Sequence, residues 1–390
     1  MEDFNVIQAI VRTSLTGNRD ATLHQVERLA NSLSEQGEDA QARTLRTMVT
    51  KARKTQAAEP FDVVSSSTAN RQEVLGLRTA LPVDRESGAP LCEVIFPVIG
   101  SRGPVVDDST RATLERLLDE WRQPARLEDA GLPVATGLLL YGPPGTGKTT
   151  LALHLASVLQ KPAVVARLDG LISSLLGNTA RNLGALFDFC NRYDVVLILD
   201  EFDAVAKVRD DRNEVGEIKR VVNTLLQNLD RRIDVGITIG ITNHEHLLDS
   251  AIWRRFEHQV QLELPSEEMR REIAQTHLRP SEYRDGLVRV LGWSTAGLSG
   301  AETRSLTLAV MKTLILSQEF EMEPVSALRA AISSARNSLE GQVVSAFNLP
   351  DQDLGPVLLQ RIEGLSVGEV ANVFGRDRRT VSRWQVVTSA

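Results

Sequence analysis

One stretch constrains this chain more than any other: Gly142-Pro143-Pro144-Gly145-Thr146-Gly147-Lys148-Thr149. It fits the pattern G-x-x-x-x-G-K-[S/T] and stands between two apolar runs, Gly137–Tyr141 and Leu151–Leu159. The first run predicts a buried strand ending near Leu140, and the second belongs to a helix opened by Thr149 and Thr150. Between them the glycines let the backbone turn its N–H groups inward, toward an anion that also faces the positive end of the helix. Lys148 then reaches the β- and γ-phosphates, and the Thr149 hydroxyl is placed to bind Mg²⁺. Four fixed identities at this spacing arise by chance in roughly one chain of this length per hundred. The strand-then-helix context makes an idle glycine turn rarer still. The pattern predicts a nucleoside triphosphate site.

With 390 residues the chain has room for two or three domains with a sizeable core. Its 42% hydrophobic and 24% charged residues are those of a soluble globular protein. A net charge of −7 argues against a wholesale nucleic-acid coat and leaves room for one local basic patch. Met1-Glu2-Asp3-Phe4 has no basic stretch followed by an apolar one, so no signal peptide is expected. No apolar run approaches the roughly 20 residues that span a bilayer, so no membrane partner is expected. Cys92 and Cys190 lie far apart without metal-ligand spacing and read as reduced thiols of a cytoplasmic protein.

Residues 1–53 read as a short helical bundle. Phe4, Val6, Ile7, Ile10 and Val11 keep the helical period, as do Leu23, Val26, Leu29, Ala30 and Leu33, with breaks at Thr16-Gly17-Asn18 and Gln36-Gly37-Glu38. Such a bundle either packs onto the next domain or docks a partner. Residues 54–104 form a linker and a strand-like lead-in, notably Cys92–Val98. From 105 to 264, an amphipathic helix (Thr110–Arg122) precedes apolar strands at Ala163–Leu168, Val195–Leu199 and Ile237–Ile241, with helices at about 151–160, 178–191 and 214–230 between them. That alternation predicts an α/β domain with a parallel sheet covered on both faces. Residues 265–345 read as an all-helical lid, and 346–390 as a separate helical unit.

The strand Val195–Leu199 ends in Asp200-Glu201, where a parallel sheet presents its ligands. An acid at that strand end holds Mg²⁺, and a second carboxylate orients and polarises an attacking water. With these residues the chain resembles the AAA family of hexameric ATPases, in the narrower group that includes spastin and katanin. Asp200-Glu201-Phe202-Asp203-Ala204 with Arg209, and Arg220 through Asp230, resemble the family's metal and water motif and the helix after it. Ile241-Thr242-Asn243 matches its polar sensor, which implies that Asn243 positions the lytic water. Leu248 through Phe256 matches the arginine-finger segment, which implies that Arg254 and Arg255 reach a nucleotide in the neighbouring subunit. Ile273 through His277 resembles the segment whose histidine lies by adenine, although a lone helical histidine is also a common structural residue. Ser299-Gly300-Ala301-Glu302 resembles the second sensor turn. The resemblance covers roughly 105–318 and implies a P-loop NTPase sheet with a helical AAA lid. It implies catalysis by Lys148, Glu201, Asn243, Arg254 and Arg255, and Mg²⁺ on Thr149 and Asp200. ATP would bind on 142–150, His277, Gly300 and Ala301, in a ring of six copies.

Two departures stand out. The pore loop of this group carries an aromatic residue where this chain has Leu175-Leu176-Gly177, which removes the ring that stacks on a threaded polypeptide. The segment 95–108 departs from the usual lead-in, so its adenine contacts stay unassigned.

Leu365 through Trp384 looks like a helix-turn-helix: Ala371 at the crossing, Gly375 in the turn, Val381 and Trp384 as anchors. Its exposed side would show Arg378, Arg379, Thr380, Ser382 and Arg383, types suited to phosphates and base edges. A helical hairpin used for packing or protein contact fits the same pattern. Two function classes follow: an ATP-driven remodeller, or a DNA-binding regulator whose assembly is set by ATP. Asn178 through Leu183 and Val215 through Arg220 resemble bacterial stand-alone AAA proteins, some of which pair with a subtilisin-like serine protease in anti-phage defence. A homo-oligomeric ring with such a protein partner is the first expectation, and DNA through 365–384 the second.

Overall fold

Uninterrupted Leu, Ile and Val runs set the central sheet, because only strands covered on both faces can bury every residue. The computed structural model describes residues 73–76, 78–98, 100, 102–168, 176–204, 215–232, 235–317 and 322–388, together with 26, 29, 30, 43 and 47. It comprises two units, Met1–Ala69 and Asn70–Ala390. In the first, the five described residues are all helical; the three-helix reading of 1–53 otherwise lies outside the described residues.

In the second unit β1 (Glu93–Ile95), β2 (Gly137–Tyr141), β3 (Ala163–Arg167), β4 (Val196–Asp200), β5 (Thr238–Thr242) and β6 (His258–Gln261) form one six-stranded sheet in the order β1-β3-β4-β5-β2-β6. β2 to β6 are mutually parallel, and β1 runs antiparallel along β3. β1 is shorter than the expected Cys92–Val98, since Pro97 lacks the N–H that a longer ladder requires.

Side chains alternate across the sheet and create two cores. Leu138, Leu140, Val196, Ile198 and Ile239 pack under α1 (Asp108–Arg122) and α3 (Lys148–Val158). Between those two helices lies the short α2 (Pro124–Asp129). Leu139, Val164, Leu197 and Leu199 pack on the other face, under α4 (Leu176–Arg192) and α5 (Val215–Arg232), through Leu183, Phe187, Leu225 and Leu229. Both helical faces are legible as apolar stripes at helical spacing.

After α6 (Ser250–Trp253) and β6 the chain is helical: α7 (Glu267–His277), α8 (Arg284–Ser294), α9 (Gly300–Leu316), α10 (Pro324–Ala335), α11 (Gly341–Phe347), α12 (Asp351–Arg361), α13 (Val367–Phe374) and α14 (Arg378–Thr388). Ser266 caps α7 through the Met269 N–H, and Ser299 with Glu302, and Ser366 with Glu369, form capping boxes on α9 and α13.

The last three helices are not detached from the others. Leu354, Leu358, Val370, Phe374 and Val381 belong to the same continuous core as Ala274, Leu287, Val290 and Leu328. Gly286 makes that close approach possible: a Cβ there would meet Val373 Cγ2 at 2.7 Å and the Glu369 carbonyl at 2.9 Å. Arg289 Nε donates to Glu369 Oε1 at 3.0 Å across the same junction.

Candidate nucleotide site

β2 ends at Tyr141, and the chain passes through Gly142, Gly145 and Gly147 with φ of 130°, 76° and 98° before α3 begins at Lys148. L side chains rarely adopt these angles. At Gly142 a Cβ would also lie 2.2 Å from the Leu262 carbonyl oxygen. α3 has Gly147 as its N-cap and no side-chain cap, so its first N–H groups remain for an anion. Lys148 is buried and donates to the carbonyls of Gly142 at 2.8 Å and Pro143 at 2.6 Å. Burial pushes its ammonium down to about 8, against the pull of Asp200, Glu245 and Asp203. Thr146 Oγ1 closes the turn by donating to the Pro143 carbonyl at 3.0 Å.

Parallel pairing brings the acidic strand end to the loop. Thr149 Oγ1 donates to Asp200 Oδ2 at 2.9 Å, and the Glu201 N–H donates to Asp200 Oδ1 at 2.8 Å. Both are hard oxygen donors, and a Mg²⁺ held mainly by phosphates and water needs no more from the protein. Among the described residues no group of three or more His, Cys, Asp or Glu forms a metal site. The residues fit the ion expected from the sequence.

Glu201 has φ of 55°, an angle that a residue with a Cβ holds only when its surroundings impose it. Its Oε1 accepts from Arg167 Nη2 at 3.0 Å. Arg167 ends β3 and is in register with Asp200, so the sheet itself delivers this guanidinium. The sequence reading did not single it out, since an arginine at a strand end carries no motif. Asn243 follows β5 and lines the cleft with Asp200 and Glu201. Beside it, Thr242 Oγ1 donates to Asp203 Oδ1 at 3.1 Å.

The cleft has a volume of about 1460 Å³ and extends from the loop to the helical region. Thr150, His277, Gly300 and Ala301 line it, as do Gly145 to Thr149, whereas Gly142 and Pro143 act behind it through their carbonyls. The Ala301 N–H donates to the Gly145 carbonyl at 3.0 Å, which pins the start of α9 to the loop. His277 is half-buried, and burial lowers its basicity, assisted by Arg304. The wall that the sequence left unassigned is 102–107: Gly103 lies against the His154 imidazole and Pro104 against Gly147.

Arg254 and Arg255 line no part of this chain's own cleft. Arg255 is held at home, with Nε on Asp230 Oδ1 at 2.9 Å, Nη2 on Oδ2 at 3.1 Å and Nη1 on the Ala251 carbonyl at 2.7 Å. Arg254 is exposed. Leu175 and Arg209 lie outside the described residues.

A parallel sheet whose strand runs through a three-glycine turn into an uncapped helix, with a strand-end aspartate on the first helical hydroxyl, defines a P-loop nucleotide-binding fold. The family comparison refines that class. Residues 138–264 match the model of the ATPase family associated with various cellular activities (AAA). The chain is 39% identical over 184 residues to "Uncharacterized AAA family ATPase y4kL" of Sinorhizobium fredii, covering 47% of this chain and 56% of that one. It is 34% identical over 264 residues to proteasome-activating nucleotidase 2 of Haloferax volcanii, covering 64% of this chain and 62% of the relative. The chain thus spans less than two thirds of the length of either. Among solved structures it is similar to the FIGL-1 AAA domain, with a TM-score of 0.49 and 21% identity, over 65% of this chain and 90% of that one.

Proposed function

We propose that this chain is a Mg²⁺-dependent ATPase that works as a ring of copies, most simply six, and uses hydrolysis to remodel or control a macromolecular partner in the cytoplasm. The observation that carries the reading is the convergence of Lys148, Thr149, Asp200, Glu201 and Asn243 on one cleft roofed by His277 and Ala301. Loop N–H groups and Lys148 bind the phosphates, and His277 with Gly300 and Ala301 flanks the nucleoside. Thr149 and Asp200 would hold Mg²⁺, which would supply charge neutralisation to the phosphates. Glu201 leaves Arg167, accepts the proton of the attacking water, and Asn243 orients that water. Arg254 supplies a guanidinium to the γ-phosphate of the next subunit, where its planar donors match the developing charge. Arg255, bound to Asp230, holds the segment in place and turns outward on assembly.

Relatives named as proteasome-activating nucleotidases support a protein partner, because their names join a nucleotidase to the proteasome. For this chain the partner proposed is a subtilisin-like serine protease of an anti-phage unit, docked on residues 1–53. Glu201→Gln should retain ATP binding and lose hydrolysis; full turnover in that variant refutes the catalytic assignment. Purified from its native cell with ATP and Mg²⁺, the same variant should retain a serine protease. Its absence from stalled assemblies refutes the protease reading.

A further inference from the structure

The last helices carry a charge pattern that ATP turnover does not use. In α14, Val381 is buried and Thr380 and Trp384 are partly so. Trp384 meets the Phe374 ring edge-on at 5.6 Å and covers Gly355, where a Cβ would come within 2.8 Å of the indole. At about 100° per residue, Arg378, Arg379, Ser382 and Arg383 fall on the other side of α14, and all four are exposed. α13 ends at Gly375 with φ of 61°, and α14 starts three residues later. This is the helix, tight turn and helix expected from the sequence, with the first turns of the second helix facing outward.

The nearby carboxylates are already engaged. Glu369 holds Ser366 and Arg289, and Glu323 pairs with Arg376 at 3.3 Å. Asp377 accepts from the Thr380 N–H and hydroxyl, both at 2.9 Å. Among the described residues Arg378, Arg379 and Arg383 form no ion pair. Arg383 feels the Asp377 carboxylate and Arg378 packs over Gly368, yet all three guanidiniums stay exposed on one helix face of a chain of net charge −7. Each presents planar donors that match phosphate oxygens and the O6 and N7 edge of guanine.

We infer that α13 and α14 form a duplex-DNA-binding surface, with α14 in the major groove and Arg378, Arg379 and Arg383 on phosphates and base edges. A groove about 12 Å wide admits one helix and brings phosphates to both of its flanks. This assignment goes beyond the ATPase reading and does not depend on it.

The test is fluorescence anisotropy of the full chain with a labelled duplex of about two helical turns, titrated from roughly 50 to 200 mM salt. The logarithm of affinity should fall against log salt with a slope near −3, since each neutralised phosphate contributes about −0.9. Arg378 also packs over Gly368, so Arg379→Ala and Arg383→Ala carry the test. Each should weaken binding and flatten the slope by about 1 while leaving ATP turnover unchanged. Three results overturn the proposal: no binding at the lowest salt, wild-type slopes in both variants, or polyglutamate competing as well as duplex at equal charge. The last would make α14 a site for acidic protein surfaces.

Discussion

Removing Arg167 should speed ATP hydrolysis. Arg167 Nη2 sits 3.0 Å from Glu201 Oε1, on the carboxylate proposed to take the proton from water. While paired, that carboxylate oxygen is engaged by the guanidinium and is not free to accept from a water. The two side chains are 65% and 37% exposed, which limits the pair to at most about 1 kcal/mol. Because 1.36 kcal/mol is tenfold in rate, releasing it raises kcat by roughly two- to fivefold. Arg167→Ala should therefore show that increase at saturating ATP and Mg²⁺, with KM little changed. The assay is steady-state phosphate release from the full chain, with Glu201→Gln as the floor. Salt supplies an internal check. Near 1 M the Debye length falls to about 3 Å, so the wild-type pair is screened and its rate should approach that of the variant. A tenfold loss in Arg167→Ala would refute the reasoning and make Arg167 a group that holds Glu201 or the nucleotide in its working position. A rate gap unaffected by salt would refute the electrostatic account.

Three further outcomes follow from the geometry. Lys148 titrates near 8 in the free site, and phosphates bind its charged form, so the proton is already present below that pH and must be taken up above it. ATP affinity should be flat below pH 8 and fall by up to about tenfold per unit above it, as read from fluorescent-nucleotide titrations. Arg254→Ala should lower kcat by about 10³ or more in the assembled protein with nucleotide binding intact, whereas Arg255→Ala should also lower thermal stability by freeing Asp230; equal kinetics with equal stability would remove the distinction. Arg232 is fully buried and donates to the carbonyls of Cys190 and Val195, to Asn191 Oδ1 and to Thr238 Oγ1. Arg232→Met should cost about 3–5 kcal/mol in urea unfolding, because those acceptors stay buried without a donor.

What could be read from the sequence was local. The loop, the strand-end Asp200-Glu201 and the apolar strands β2 to β5 each announce themselves within a few residues. β6 escaped notice because His258-Gln259-Val260-Gln261 buries only Val260. Arg167 and Arg232 were equally invisible, since both act through the register of distant strands and no spacing along the chain encodes that. The same holds for Gly103 and Pro104, whose fit against His154 and Gly147 is a product of the fold. The division at 346 shows the limit most clearly. The sequence reads 346–390 as a separate helical unit, yet Gly286 and Val373, far apart in the chain, bring helices from both sides of that boundary into close contact.

That junction makes one lever of the whole helical half. α7 carries His277 over the nucleotide cleft, and α14 carries Arg379 and Arg383 at the far end of the same core. Were α7 to rotate toward a bound base with this core intact, the arginine face would turn with it. Occupancy of the cleft would then be expressed as an angular position at the protein surface, carried by packing and not by a relay of polar side chains. Cutting the chain at 345 would leave the lever without its outer arm and strip the cover from Leu287, Val290 and Leu328.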